Sequence, residues 1–257
     1  KDSAVICKLA ENAGIPFDIV HSHTTADAPE TVYHVRKRAK EYELKGVSYT
    51  IHYPTYKGEP TSMWKLIPIK LMPPTRLARY CCAVLKETTG RDRFIATGAR
   101  WAESTARKNN RSSLEILTAD RKKKLLLNND NDDDRRLFET CTLKGKRVCN
   151  PIIDWQESDV WDYLAGQHVE CNPLYCEGWH RVGCVGCPMA AKARYREFAQ
   201  YPKYRQMYIN AFDRMLAERQ RRGKMDGSWR RGTTGVDVFH WWMEDGVLPG
   251  QFEIEED

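Results

Sequence analysis

The 257-residue chain contains no apolar run of the ~18 residues that a membrane-spanning helix needs, and its mean hydropathy is −0.66. No membrane span is expected. Neither end carries a basic segment followed by an apolar stretch and a small-residue cleavage site, and the first residue is Lys1 rather than Met. These absences imply a cytoplasmic location and a native start upstream of Lys1. A paired set of cysteines is also lacking. The nine are Cys7, Cys81, Cys82, Cys141, Cys149, Cys171, Cys176, Cys184 and Cys187. An odd number without an export signal favours metal or redox chemistry over a disulfide framework. No internal repeat is present. The acidic stretch 128–136 lacks the Gly and Glu that a calcium loop opening at Asp130 requires, since Arg135 and Cys141 stand at those positions. It reads as a solvated acidic loop.

What is there is a globular balance of 41% hydrophobic and 30% charged residues, with a formal net charge of +6. The basic excess is local, with twelve Lys/Arg against four Asp/Glu between Lys192 and Arg231. An anionic partner held by charge would meet that region. In the first half, apolar strands expected at 17–22, 48–53, 94–98 and 148–153 alternate with helices at 3–13, 29–44 and 101–108. Short links between them imply an α/β architecture with a mostly parallel, twisted sheet and helices on its faces. In such sheets ligands bind beyond the carboxyl ends of the strands. A capping box at Asp154-Trp155-Gln156-Glu157 is expected to open a further helix. Beyond it, Tyr204, Met207, Tyr208, Ala211, Phe212, Met215 and Leu216 form a helical stripe suited to packing on the main body. The C-terminal region is thus helical.

Among candidate site residues, Cys184-Val185-Gly186-Cys187 lets two thiolates reach one metal, and the adjacent Cys81-Cys82 is the best source of two more ligands. Arg76, Arg79 and Lys86 would favour their thiolate forms, with Cys176 and Cys171 as reserve ligands. Spacing leaves zinc and a four-iron cluster both open. Cys7, Cys141 and Cys149 read as bland cysteines. Lys1-Asp2-Ser3 runs straight into a helix, which suits the end of a phosphate-cradling loop or a simple helix cap. Gly98 to Arg107 follows a strand: Gly98 permits close approach and Arg100 and Arg107 can grip phosphate or sulfate, while Glu103 and Ser104 lie beside them. The alternative is a helix start whose Arg and Glu pair on its surface. His21 to Asp27 also follows a strand and could line the same crevice.

Taken in order, these motifs resemble the phosphoadenosine-phosphosulfate (PAPS) reductase family of the PP-loop, or adenine nucleotide α-hydrolase, superfamily. The resemblance rests on Lys1-Asp2-Ser3 as the end of an SGGKDS loop, Thr24 to Glu30, Cys81-Cys82, the GxRxxES run from Gly98 to Ser104, Asn150 to Trp155, and Cys184-x-x-Cys187. It covers most of residues 1–190, leaving 191–257 as a basic, aromatic helical extension. It implies a [4Fe–4S] cluster on Cys81, Cys82, Cys184 and Cys187, with zinc as the alternative. It also implies an adenine nucleotide held by Lys1, Ser3, Thr24, Thr25, Asp27, Gly98, Arg100, Glu103, Ser104 and Arg107.

Two departures separate this chain from the family's iron–sulfur reductases. Those carry a catalytic cysteine in a C-terminal tail, whereas the last cysteine here is Cys187. They also alter the phosphate loop, whereas Lys1-Asp2-Ser3 looks like the form that holds ATP pyrophosphate. The resemblance therefore implies an enzyme using ATP with Mg²⁺, with Lys1, Asp2, Ser3 and Arg100 as catalytic residues. It would release pyrophosphate, adenylate an acceptor and support sulfur transfer, as in family members of DNA phosphorothioation systems. A sulfur donor or thiol reductant protein and a nucleic acid on the basic extension are the implied partners. The rivals are an APS or PAPS reductase forming sulfite, and a non-catalytic, zinc-stabilised nucleic-acid-binding module.

Overall fold

The structure is a computed structural model and describes residues 1–89, 93–118, 125–127, 145–225 and 229–244. The acidic stretch 128–136, Cys141 and the residues after 244 lie outside the described residues. The chain divides into two compact units, one of residues 1–19, 40–50 and 89–173, the other of 20–39, 51–88 and 174–257.

Strand and helix alternate from the start as the apolar pattern predicts. Helix α1 (Asp2–Asn12) leads to β1 (Ile19–Ser22), then α2 (Pro29–Leu44) and β2 (Tyr49–His52). Pro29 opens α2, where its missing N–H has no intrahelical use. Strands β1 and β2 form a two-stranded sheet. Ile19 N–H donates to the Ser48 carbonyl and His23 N–H to that of His52, an equal step on both strands, so they run parallel.

The first unit holds α1 together with β5 (Phe94–Ala96), α5 (Thr105–Asn110), β6 (Leu114–Thr118), β7 (Leu125–Leu127), β8 (Gly145–Cys149) and α6 (Glu157–Gly166). Its sheet has the order β5-β8-β6-β7. The β5–β8 pair is parallel, with Ile95 opposite Val148, whereas β6 joins β8 and β7 antiparallel. No described helix separates β6 from β7, so the alternation that implies parallel pairing stops there. One face of α1, with Val5 and Ile6, packs on Val160 and Leu164 of α6 and on Ile152. The expected helix 101–108 is broken: a 3₁₀ turn at Trp101–Glu103 ends where Ser104 accepts from Arg107 N–H and caps α5. The capping box lies two residues later than expected. Gln156 is the N-cap and donates its N–H to Asp159 Oδ2 at 2.7 Å, because Trp155 closes a turn onto Ile152 instead of entering the helix.

The second unit contains a hairpin, β3 (Thr55–Tyr56) and β4 (Glu59–Pro60), followed by α3 (Met63–Lys70) and α4 (Tyr80–Leu85). Three further helices follow: α7 (Ala193–Gln200), α8 (Pro202–Arg221) and α9 (Gly235–Met243). The expected stripe on α8 is the core. Tyr208, Ala211, Phe212, Met215 and Leu216 are buried, joined by Ile209, whereas Met207 faces outward. Phe198, Phe239 and Trp242 complete an aromatic cluster with ring centroids 4.7–6.1 Å apart. Burying each such side chain stabilises by about 1.5–3 kcal/mol. Trp242 is also fixed in rotation, since its indole N–H donates to the Pro74 carbonyl at 2.6 Å.

Much of the basic excess is engaged inside this unit. Arg194 is buried and donates to the carbonyls of Trp242 and Met243, the last residues of α9. Arg196 donates to those of Glu177 and Gly178, and Arg221 and Arg222 both pair with Glu218. No described helix is long and apolar enough to cross a membrane.

Candidate functional site

The candidate residues fall into two groups, one in each unit. In the first, the start of α1 is the focus. Lys1 is its N-cap, Asp2 its first residue, and Gly98, just past β5, lies against it: a Cβ built on Gly98 would sit 2.7 Å from Asp2 Cβ and 3.0 Å from its backbone carbon. Only a glycine permits that approach, which is why a glycine follows this strand. Arg100, two residues on and 2% exposed, reaches back to donate from Nε to Asp2 Oδ1 at 2.8 Å and from a terminal nitrogen to Glu157 Oε2 at 2.7 Å. Lys1 Nζ binds the same Glu157 oxygen at 2.6 Å and lies 3.7 Å from Asp2. Partial burial would raise Glu157, but the hydrogen bonds and charges of Lys1 and Arg100 outweigh it and hold the carboxyl below its ordinary range. Two cations and two carboxylates thus meet at a helix N-terminus whose first N–H groups have no intrahelical acceptor.

Ser3 lies exposed in the first turn of α1. Ser104 caps α5, and Glu103 and Arg107 form an i,i+4 ion pair, so these residues order the start of α5. The segment that carries Arg100 is held by a polar brace centred on buried Asn150. Asn150 accepts from the Thr97 hydroxyl and donates to the Ser112 carbonyl at 2.6 Å and to Glu115 Oε1 at 2.8 Å. Trp101 N–H donates to the Ile153 carbonyl at 2.7 Å, so the segment carrying Arg100 is tied down on both sides.

In the second unit, Cys81 and Cys82 sit in the first turn of α4, and Cys184 and Cys187 bracket a turn. The loop leading to α4 is pinned by Tyr80, whose hydroxyl donates to the Met72 carbonyl at 2.7 Å. Gly186, at φ +75°, packs where a Cβ would strike Phe198, Tyr208 and Trp242. Its N–H donates to buried Glu197 at 2.6 Å, and the Val185 carbonyl accepts from Tyr208 at 2.9 Å. Helices α7, α8 and α9 therefore set the CxxC turn.

The four sulfurs share one electrostatic environment. Cys82 is lowered to about 5, chiefly because it accepts a hydrogen bond from Cys81, with the Arg79 guanidinium 3.5 Å away adding to the effect against burial. Cys81 is raised by giving that bond, by burial and by the nearby Cys82, Cys184 and Cys187. Lys86 is raised, first by Cys184, with Asp27, Cys187 and Cys82 contributing. Two cations thus face four thiols, a donor set of the softness that iron–sulfur clusters and zinc require. As placed, no group of three or more His, Cys, Asp or Glu among the described residues is drawn close enough to grip an ion. Cys184 instead donates to the Thr24 hydroxyl at 3.2 Å.

Thr24, Thr25 and Asp27 belong to this second group. Asp27 forms a bridge with Cys184, accepts from Thr24 N–H at 2.8 Å and lies 3.2 Å from His23 Nδ1. Burial would raise Asp27, but these hydrogen bonds hold it below its ordinary range. Thr25, at φ +65°, accepts from Met63 N–H at the start of α3. Cys176 is exposed, and Cys7, Cys149 and Cys171 are partly buried. Glu157, which links Lys1 and Arg100, reads in the sequence only as part of a helix cap. An acidic residue opening a helix just after the Asn150 motif was the one available signal.

Three relatives give the comparison. An uncharacterized protein of Methanocaldococcus jannaschii is 28% identical over 222 residues, covering 83% of this chain and 46% of its own. An adenosine 5′-phosphosulfate reductase of Neisseria meningitidis is 30% identical over 115 residues, 45% of this chain and 39% of that protein. The chain thus spans less than half the length of these curated relatives. Among solved structures, a phosphoadenylyl-sulfate reductase from Candida auris in complex with phosphate aligns with a TM-score of 0.44 and 18% identity, over 71% of this chain and 76% of that one. The family model of the phosphoadenosine phosphosulfate reductase domain matches residues 1–190. With most of its length accounted for by that model, the chain belongs to the phosphoadenosine phosphosulfate reductase domain family.

Proposed function

We propose that the chain is the nucleotide-activating part of an enzyme that cleaves ATP between its α- and β-phosphates, adenylating an acceptor oxygen and releasing pyrophosphate ahead of sulfur transfer. The observation that carries this is the convergence of Lys1, Asp2 and Arg100 on the start of α1, with Gly98 holding the backbone close. A polyphosphate entering there would replace Glu157 as the partner of Lys1 and Arg100, and the free N–H groups of the first turn would receive its oxygens. Lys1 and Ser3 then hold the pyrophosphate, Arg100 stabilises the charge developing at the α-phosphate, and Asp2 orients Mg²⁺ or the loop. Cys81, Cys82, Cys184 and Cys187 fit a resident [4Fe–4S] cluster, with zinc as the alternative; a bound cluster would supply electrons. Asp27, Thr24 and Lys86 steady the sulfur positions.

The second reading is reduction of APS or PAPS to sulfite with a thiol donor. The several relatives named adenosine 5′-phosphosulfate reductases favour it. Anaerobically purified full chain, given ATP and Mg²⁺ in one assay and APS or PAPS with a dithiol in another, separates the two. Pyrophosphate without sulfite supports the first reading, and sulfite without pyrophosphate replaces it with the second.

A further inference from the structure

Neither reading uses Glu197, the buried acid of α7. It is 5% exposed, and its Oε2 accepts from Gly186 N–H at 2.6 Å, inside the turn that separates Cys184 from Cys187. The neighbouring N–H groups of that turn also go to oxygen. Val185 N–H donates to the Ala26 carbonyl at 2.7 Å and Cys187 N–H to that of Cys184 at 3.2 Å. Hydrogen bonds to sulfur and nearby charge are two of the means by which a protein sets the potential of an iron–sulfur cluster. With the three N–H groups after Cys184 directed at oxygen, charge is the lever left at this turn. Arg79 and Lys86 supply the positive charge that the sulfurs feel. Glu197 supplies negative charge from the core. The cations nearest it are turned to carbonyls: buried Arg194 donates to those of Ala191, Trp242 and Met243, and exposed Arg181 to that of Met189. Burial raises Glu197 above the ordinary carboxylate range against the pull of Gly186, Arg181 and Arg194. Asp27 is the other acid near these sulfurs, and it is held by His23 and by Thr24 N–H.

We propose that Glu197 is a tuning residue, whose buried negative charge behind the CxxC turn holds the [4Fe–4S] cluster at a low reduction potential. The inference rests on the reading of Cys81, Cys82, Cys184 and Cys187 as the ligands of that cluster. Adding an electron makes a cluster more negative, so a fixed carboxylate in a low-dielectric interior opposes reduction, and removing it favours reduction. A neutral amide oxygen would satisfy the Gly186 N–H equally well, without the desolvation that a buried charge requires. The hydrogen bond alone therefore does not account for an acid at this position; an effect of its charge does.

The test is a potentiometric titration of the anaerobically purified full chain, read by its visible absorbance, in which dithionite passes one electron to the cluster through mediator dyes. It is run at about pH 8.5, far above the ordinary glutamate pKa of about 4.3. Glu197→Gln keeps an acceptor for Gly186 N–H and removes the charge, and should favour reduction about tenfold, a rise of about 59 mV for a one-electron couple. Glu197→Asp, which keeps the charge on a shorter arm, should stay close to the parent protein. So should Glu177→Gln, the same charge change at an exposed position. Iron content and the thermal transition of each variant are measured beside the titration. An unchanged or lowered midpoint in Glu197→Gln overturns the proposal, as does an equal shift in Glu197→Asp or Glu177→Gln. Loss of iron from Glu197→Gln also overturns it, because the residue is then a support of the turn and nothing more. Iron and sulfide in the parent with no shift in Glu197→Gln sink this proposal and leave the cluster reading standing; zinc without iron in the parent overturns both.

Discussion

Gly186 offers the most direct test of how the cysteine turn is held. It sits between Cys184 and Cys187 at φ +75°, and an alanine Cβ there would lie 2.5 Å from Phe198 Cζ, 2.9 Å from Tyr208 Cε2 and 3.1 Å from Trp242 Cη2. The left-handed backbone costs an L-residue about 1–2 kcal/mol. Forcing a methyl into rings already packed on one another adds about 1–3 kcal/mol. Gly186→Ala should therefore destabilise the second unit by roughly 2–5 kcal/mol, lowering its melting temperature by about 5–20 °C. Gly183 supplies the control, since it has no positive φ and nothing within 4 Å of a built Cβ. Gly183→Ala should stay within about 0.5 kcal/mol of the parent protein. Urea titration followed by tryptophan fluorescence reads the cluster that contains Trp242. If Gly186→Ala melts like the Gly183→Ala control, the CxxC turn does not rest on the aromatic core and the account of α7–α9 as its support is wrong.

Arg100→Lys keeps the charge but cannot bridge Asp2 and Glu157 at once, so pyrophosphate release should fall about 10²–10³-fold, the range for loss of one charge-stabilising donor; unchanged turnover removes Arg100 from the mechanism. Gly98→Ala should push Asp2 aside and abolish turnover while leaving a cooperative thermal transition, read by calorimetry beside the pyrophosphate assay. Glu157 is depressed in the folded state, so its contribution to stability is present above the ordinary glutamate pKa of about 4.3 and is lost as pH falls through the lower folded value. The stability gap between the parent and Glu157→Gln should accordingly shrink below about pH 4 in urea titrations, and a gap that widens there reverses the sign. Finally, Cys82→Ser and Cys187→Ser should each deplete iron and sulfide from anaerobically purified protein, whereas Cys176→Ser and Cys171→Ser should not. Zinc without iron in the parent protein would replace the cluster by a structural metal.

The parts of this molecule that were legible in sequence are those set by local chemistry. Pro29 fixes the start of α2, the 3.6-residue period of Tyr208, Phe212, Met215 and Leu216 marks a buried helix face, and Gly98 after a strand announces a close approach that the Asp2 contact fulfils. What was not legible depends on partners distant in the chain. Glu157 reads as one more acid at a helix start until Lys1 and Arg100, 156 and 57 residues away, close on it. Asn150 reads as a turn residue until Thr97, Ser112 and Glu115 surround it. The antiparallel pairing of β6 with β7 and β8 is not legible in sequence, because no local pattern distinguishes a strand that joins its neighbour antiparallel from one that joins it in parallel.

The basic C-terminal quarter shows why net charge is a poor guide to a binding surface until partners are assigned. Counted from the sequence it is one patch of twelve cations. In the fold, Arg194 is buried on the last carbonyls of α9, Arg196 spans two carbonyls of the Glu177–Gly178 turn, and Arg221 and Arg222 share Glu218. Such groups neutralise little phosphate, because an incoming anion must first displace a partner held at 2.5–3.3 Å. The salt dependence of any nucleic-acid binding by this region should therefore report far fewer than twelve phosphate contacts.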